Sequence, residues 1–345
     1  GVPRVLGDFT ITLTASNRFA IANTSLAMRV TPIAAWGYNG SGQATSPAGL
    51  TNIVAVAGGA SHTLALRANG SVIGWGSNTS GQTNSPTGLT NAVAIAAGAN
   101  HNVALRANGL VTAWGLNSSG QATVPTGLTN VVGVAAGNSH SLAVRADGSV
   151  VGWGYNGSRQ ITIPSGLTNA VAVAAGASHS LALRGDGSVV AWGRYDSGQT
   201  NVPYALANVV AIAAGDSHNL ALRADGTVIG WGSNTYGETN VPVGLTNVVA
   251  IAAAGQHSLA LRADGRVIAW GRNLSGEVNV PLNLTNVVAI GAGASHSLAL
   301  CALPEGLEMP KPVSPQWLIG SADRYFAERL QVTVMGCVFT AAGLP

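Results

Sequence analysis

The sequence predicts an all-β, seven-bladed β-propeller, and three observations carry that prediction. Trp36, Trp75, Trp114, Trp153, Trp192, Trp231 and Trp270 recur every 39 residues. All seven histidines keep the same period: His62, His101, His140, His179, His218, His257 and His296. No insertion or deletion interrupts either series, as tandem copies of one structural unit require. Third, each unit joins two short apolar runs through Ala-Asn-Gly, Ala-Asp-Gly or Gly-Asp-Gly, the strongest short-range signals for a β-hairpin.

One unit, residues 167–203, reads LTNAVAVAAGASHSLALRGDGSVVAWGRYDSGQTNVP. NAVAVAA is its first strand, HSLALR its second and SVVAWG its third; a fourth is expected in GQTNVP. Alternation in HSLALR puts Leu181 and Leu183 on one face and Ala182 on the other. Both faces are small or apolar, which suits a sheet packed between two neighbouring sheets. The Ala and Gly of the first strand suit the crowded centre of a ring. The unit length matches the roughly 40 residues of a four-stranded blade. Helical solenoids of similar period are excluded by the lack of a 3.6-residue pattern and the wealth of Val, Gly and Thr. A parallel β-helix fits less well, because its coils are shorter and carry no regular hairpin.

The marks also suggest a closure. IAAWG at 33–37 is a Trp strand with no His strand before it in its own unit, and HSLAL at 296–300 is a His strand with no Trp strand after it. Pairing them makes a ring closed by a blade shared between the N- and C-terminal strands, with no exposed edge. Residues 1–30 are then an N-terminal flank, 31–303 the propeller and 304–345 a non-repeat tail. SLAMRV at 25–30 reads as a decayed second strand, with Thr24 where His is expected, and 317–332 as room for a short helix.

Hydrophobic residues make up 47% of the 345, enough for a large core. Only 8% are charged, against roughly a quarter in ordinary domains. The 46 glycines have no collagen period and mark tight turns instead. The net charge of +3 is spread thinly, six of the arginines (Arg67, Arg106, Arg145, Arg184, Arg223 and Arg262) sharing one repeat position. No basic stripe forms, so nucleic acid is not an expected partner. No run of 18 apolar residues suggests a membrane span. Cys301 and Cys337 allow one disulfide or two thiols. A chain opening on Gly1 points to a removed leader or an upstream domain, and the low charge with abundant Ser, Thr and Asn suits an exported, extracellular or cell-surface protein.

The repeated residues read as structure. Seven-fold spacing holds the histidines apart, whereas zinc needs ligands converging within a few ångströms; buried imidazoles bonded to neighbouring carbonyls are expected. Each Trp is expected to fill the gap between blades, with its N–H satisfied locally. No catalytic triad, metal pair or phosphate-cradling loop can be assembled, so the expectation is no enzyme, no cofactor and no metal. Glu238 and Glu277, which replace the repeat's Gln, stand on different blades and make no glycosidase pair.

Variation within the repeat carries the functional signal. The loop after Trp-Gly reads YNGSG, SNTSG, LNSSG, YNGSR, RYDSG, SNTYG and RNLSG, fixed at its flanks and variable at its centre. Tyr38, Tyr155, Arg194, Tyr195, Asp196, Tyr236 and Arg272 fall there, and Tyr and Arg are enriched at protein-binding hot spots. The units of Trp192, Trp231 and Trp270 hold most of these. A monomeric protein-binding scaffold acting through one rim is therefore expected, with a carbohydrate-binding module or a spacer of a larger bacterial surface protein as alternatives.

The pattern G-x-x-H-x-x-A-L followed by V-x-x-W-G-x-N-x-x-G-Q, seen whole in HSLALRGDGSVVAWGRYDSGQ at 179–199, resembles RCC1 (regulator of chromosome condensation) repeats over residues 33–300. The short units and AWG strands resemble the compact bacterial type, including a secreted inhibitor of β-lactamases. The resemblance implies a seven-bladed propeller that binds other proteins. Roles in that family include nucleotide exchange on a small GTPase and regulatory modules, and fold alone selects none of them.

Overall fold

The computed structural model describes residues 7–16, 21–30 and 32–302. Strands β1 (Gly7–Ser16) and β2 (Ile21–Val30) pair antiparallel as a two-stranded sheet. Seven three-stranded sheets make up the remainder. Sheets one to three are β4 (Ile53–Gly58), β5 (His62–Arg67), β6 (Val72–Gly76); β7 (Ala92–Ala97), β8 (His101–Arg106), β9 (Val111–Gly115); and β10 (Val131–Ala136), β11 (His140–Arg145), β12 (Val150–Gly154). Sheets four to six are β13 (Ala170–Ala175), β14 (His179–Arg184), β15 (Val189–Gly193); β16 (Val209–Ala214), β17 (His218–Arg223), β18 (Val228–Gly232); and β19 (Val248–Ala254), β20 (His257–Arg262), β21 (Val267–Gly271). Sheet seven combines β22 (Val287–Ala292) and β23 (His296–Cys301) with β3 (Ile33–Gly37) from the other end of the chain.

The expected fold needs correction in two respects. First, no sheet is closed: each is an open ladder with two edges, so continuity around the ring cannot come from strand pairing. Within sheet seven, β23 lies antiparallel to β3, with Ser297 opposite Trp36 and Leu298 opposite Ala35. Second, the blades hold three strands, not four. Where a fourth was expected, side chains satisfy the backbone instead of a ladder. In the first such loop Ala44 N–H donates to Asn39 Oδ1 and Ser41 N–H to Gln43 Oε1, each at 2.9 Å. Pro47, lacking an N–H, then breaks any strand. Nor does 25–30 act as a blade strand: it belongs to β2, with Ser25 opposite Thr12 and Val30 opposite Gly7. The tail 304–345, with its expected helix, Trp317 and Cys337, lies outside the described residues. Cys301 is buried and disulfide-bonded.

Continuity comes from side-chain packing, with backbone bonds between inner loops adding to it. The core is divided into seven clusters, one per junction between neighbouring sheets. Between sheets four and five, Leu181 and Leu183 of β14 pack against Ala221 of β17 and Trp231 of β18. On its other face β14 turns Ala182, with Trp192 beside it, toward Leu142 and Val144 of sheet three. Leucines of one sheet thus fill the space above the small Ala of the next, and Trp closes the outer gap. The same arrangement joins sheet six to seven (Leu259 and Leu261 with Ala299 and Trp36) and sheet seven to one (Leu300 with Ala65 and Trp75).

Candidate protein-binding rim

The rim rests on a buried polar girdle that the repeat residues build. Each His Nε2 meets the side chain that follows the His of the next sheet: Asn102, Ser141, Ser180, Asn219, Ser258 and Ser297 receive His62 to His257 in turn, at 2.7–3.0 Å. His296 reaches Thr63 at 2.9 Å and completes the circuit. Those side chains in turn donate to the backbone carbonyl of the loop Gln or Glu, as Ser141 does to Gln121 at 2.9 Å. The same carbonyl accepts the indole N–H of Trp153 at 2.9 Å. With the hydroxyl hydrogen or Asn amide committed there, Nε2 must be the imidazole donor. The expected partner of each His, a neighbouring carbonyl, is therefore replaced by a side chain that relays to a carbonyl.

The other edge of each imidazole packs on the Gly of G-x-x-H. A Cβ on Gly137 would collide with the His140 ring and with the Gly176 carbonyl oxygen of the next sheet. Burial pushes the histidines below their ordinary range, to about 4 for His101, His179 and His296 and about 3 for His140. For His101 and His140, neighbouring histidines push in the same direction. The seven remain neutral links at neutral pH and do not converge on a metal; among the described residues no group of three or more His, Cys, Asp or Glu is placed to hold one.

Above the girdle, two sets of loops share one face. The residue after Trp-Gly donates its N–H to the loop before the His: Tyr38 to Ser295 at 2.8 Å, Arg194 to Ser178 and Arg272 to Gln256 at 2.9 Å. The variable loops therefore stand outside, and the G-x-x-H loops inside, around the mouth of the axial channel. Inner loops are linked between sheets by backbone bonds such as Asp216 N–H to Gly255 O at 2.8 Å. A cavity of about 120 Å³ lies there, lined by Ala and Gly, with Asn138 and Asp216 as its polar side chains. Burial raises the Asp216 carboxyl, and Arg272 opposes the rise.

The ring spreads the predicted rim residues over five of its seven sheets, with Arg194 and Asp196 the pair joined by a hydrogen bond. Tyr155 stands on sheet three, Arg194, Tyr195 and Asp196 on four, Tyr236 on five, Arg272 on six and Tyr38 on seven. They occupy five consecutive sheets, while the loops of sheets one and two carry none of them. Tyr195 is the most exposed, at 76%; Tyr38, Tyr155 and Tyr236 are near half. Tyr38 and Tyr155 are held down by their own loops, their hydroxyls lying over Gly40 and Gly157 where a Cβ would clash. Tyr195 replaces the Asn that ties the loop elsewhere, and Arg194 donates to Asp196 at 2.7 Å across it. That hydrogen bond holds the exposed Asp196 carboxyl below its usual range.

Arg272 is turned inward. It donates to Ser295 Oγ at 3.2 Å and faces the fully buried Glu277 carboxylate at 3.9 Å. Glu238, the other Gln-to-Glu position, instead accepts from the Ser233 hydroxyl at 2.8 Å. Arg272→Ala is expected to cost about 1–3 kcal/mol by leaving a buried carboxylate unpaired. Glu277→Gln in the same chain should restore most of it, since Gln occupies this place in other repeats. Urea unfolding of the two variants checks this; equal stability of both would contradict the pairing. Sequence reasoning missed Asp216 and the exposed Leu274. Asp216 was legible as the one acid at a position holding Ala60, Ala99, Asn138, Ala177, Gly255 and Ala294 in the other units.

A family model described as "Regulator of chromosome condensation (RCC1) repeat" matches six times, at 53–82, 92–121, 131–160, 170–199, 209–238 and 248–277, just over half of the chain. Among solved structures, the chain is similar to yeast RCC1 (Prp20) bound to Kap60, with 23% identity and a TM-score of 0.65 over 77% of this chain and 88% of that one. It is similar to Prp20p from Saccharomyces cerevisiae, described with its binding to Gsp1p and histones, at 22% identity and a TM-score of 0.66 over 79% and 92%. Human WBSCR16 follows at 19% identity and a TM-score of 0.65 over 78% and 98%. A comparison with curated proteins finds no match.

These findings correct part of the sequence reading. The similarity runs to yeast and human proteins, so the likeness to a compact bacterial, secreted type is not upheld, nor is the extracellular or cell-surface placement that accompanied it. Short units and AWG strands reflect how blades pack, and packing says nothing about compartment.

Proposed function

We propose that this chain, which belongs to the regulator of chromosome condensation (RCC1) repeat family, is a protein-binding scaffold that engages its partner through the rim from Tyr155 to Tyr38. One observation carries the reading. Over an invariant buried frame, exposed Tyr and paired charges gather on one face of five consecutive sheets and are missing from the other two. Large amphipathic side chains on a rigid support lose little entropy when they bind. The yeast relative bound to Kap60, and the one described with Gsp1p and histones, are protein binders of the same fold. The chain is a scaffold and not an enzyme: its histidines and the Ser, Thr and Asn beside them are consumed in the girdle. No observation favours a carbohydrate-binding module or a spacer. Among the described residues, no helix is long and apolar enough to cross a membrane.

Kap60, Gsp1 and histones are the first purified probes to test by interferometry, followed by any protein crosslinked to the rim. For a partner that binds, Arg194→Ala with Tyr195→Ala should weaken the Kd at least about tenfold. Thermal stability should stay unchanged, because both side chains project from the frame. Unaltered affinity would remove this arc as the binding surface.

A further inference from the structure

The mouth of the axial channel holds a carboxylate that the fold does not use. At the second position of the G-x-x-H turn four units carry Ala60, Ala99, Ala177 and Ala294, while the others carry Gly255, Asn138 and Asp216. Asp216 links the loops through its backbone alone: its N–H donates to Gly255 O at 2.8 Å, and its O accepts from Ala177 N–H at 3.2 Å. Any residue supplies those two groups. The Asp216 side chain has no hydrogen-bond or ion-pair partner among the described residues. Arg272, the cation whose charge reaches it, is already bonded to Ser295 and set against Glu277. Asp216 lines the cavity of about 120 Å³, and so does Asn138, which makes no hydrogen bond among the described residues. Every other lining residue is Ala or Gly. Asn138 and Asp216 flank the sheet-four loop, whose Ala177 carbonyl accepts no backbone N–H.

We propose that this channel mouth is a binding site for a primary ammonium group, with Asp216 meeting its charge and the Asn138 amide oxygen and Ala177 carbonyl taking further N–H groups. The site stands apart from the rim reading, because none of the seven rim residues lines the cavity. An ammonium is a compact point charge with three N–H donors, which matches one carboxylate beside two neutral oxygens. Calcium or magnesium calls for about six oxygen ligands or more, and one carboxylate among small apolar walls does not offer them. A quaternary ammonium is held by aromatic faces, and the lining has none. The Ala and Gly walls suit the apolar stem that carries a primary ammonium. Burial disfavours the charged form of Asp216, so a cation brought beside it recovers what desolvation costs.

The test is titration of the full chain at low ionic strength with n-butylammonium chloride and, in parallel, with an acetylated and amidated Gly-Lys-Gly peptide, read by saturation-transfer NMR. Saturable binding of at least one probe is expected, with a Kd on the order of 1–10 mM. Tighter binding of the peptide assigns the site to a lysine side chain of a protein partner, and tighter binding of butylammonium to a free amine. Asp216→Ala, which installs the residue of four other units, should weaken the Kd at least about tenfold without lowering the thermal midpoint. Asp216→Asn, which keeps the shape and removes the charge, should lose as much. Asn138→Ala should weaken binding about threefold. Arg194→Ala with Tyr195→Ala should leave it unaltered, which separates this site from the outer rim. Absence of saturable binding by both probes would overturn the proposal. So would undiminished affinity in the two Asp216 variants, or equal affinity for tetramethylammonium, which has no N–H to donate.

Discussion

Acidification from pH 7 to about 4 is expected to unfold the ring in one cooperative transition, with its midpoint near pH 5. The cause is the girdle. Burial holds the histidines below the ordinary imidazole value, to about 4 for His218 and about 3 for His257. In the unfolded chain each would titrate near 6.5. Between those values the unfolded state binds more protons than the folded one. Stability is therefore complete above about pH 6.5 and drains away as the pH falls toward the depressed values. Each histidine contributes up to 1.36 kcal/mol per pH unit, so seven acting together approach about 10. A domain stability of about 5–15 kcal/mol is exhausted within one or two units. The geometry adds to this: Nδ1 is buried without a hydrogen-bond partner in all seven, so a proton added there enters a desolvated site. Near-UV circular dichroism of the tryptophans and potentiometric proton uptake read the transition. Uptake approaching seven protons is expected, and native dichroism retained at pH 4 would refute the account.

Gly137→Ala is expected to destabilise the protein by about 3 kcal/mol or more, a large loss for one methyl group. The added Cβ would strike both the His140 ring, with Nδ1 only 2.7 Å away, and the Gly176 carbonyl of the next sheet. Sheet six shows how the conflict is resolved in the native chain. There Ala254 stands at the equivalent place, the strand is one residue longer, and Gly255 takes a φ of +50° to carry the turn. Gly137→Ala combined with Asn138→Gly recreates that Ala-Gly pair and should recover most of the lost stability. Denaturant midpoints of the single and double variants decide the matter. A double variant no more stable than the single one would show that the sheet-six turn depends on more than these two positions.

Much of the frame was legible in the chain because its information is local and repeated. A hairpin signal, an alternating strand and a Trp-Gly end are each written in a few consecutive residues, and seven copies at constant spacing average out the ambiguity of any one. The rim residues were proposed for the same reason, as variation between constant flanks. The supposed fourth strand misled because GQTNVP is compatible with a strand on composition. Only the spatial arrangement shows Asn39, Gln43 and their equivalents taking up the donors that a ladder would have used.

The sequence by itself determined the unit, the first three of its expected four strands, its turns and the identity of the residues that must be buried. Apart from the pairing of 33–37 with 296–300 that it suggested, it left undecided how the units meet. Six of the seven girdle histidines find their partner 40 residues further on, and six of the seven repeat tryptophans their carbonyl 32 residues earlier, while His296 and Trp36 reach Thr63 and Glu277 from the other end of the chain. The tertiary structure brought Tyr38 and Arg272, on neighbouring sheets, to the same Ser295. It alone set Asp216 at the channel mouth. The physical reason is that hydrogen bonding along a strand is satisfied between near neighbours in sequence, whereas packing between open sheets depends on how side chains far apart in the chain fill shared space.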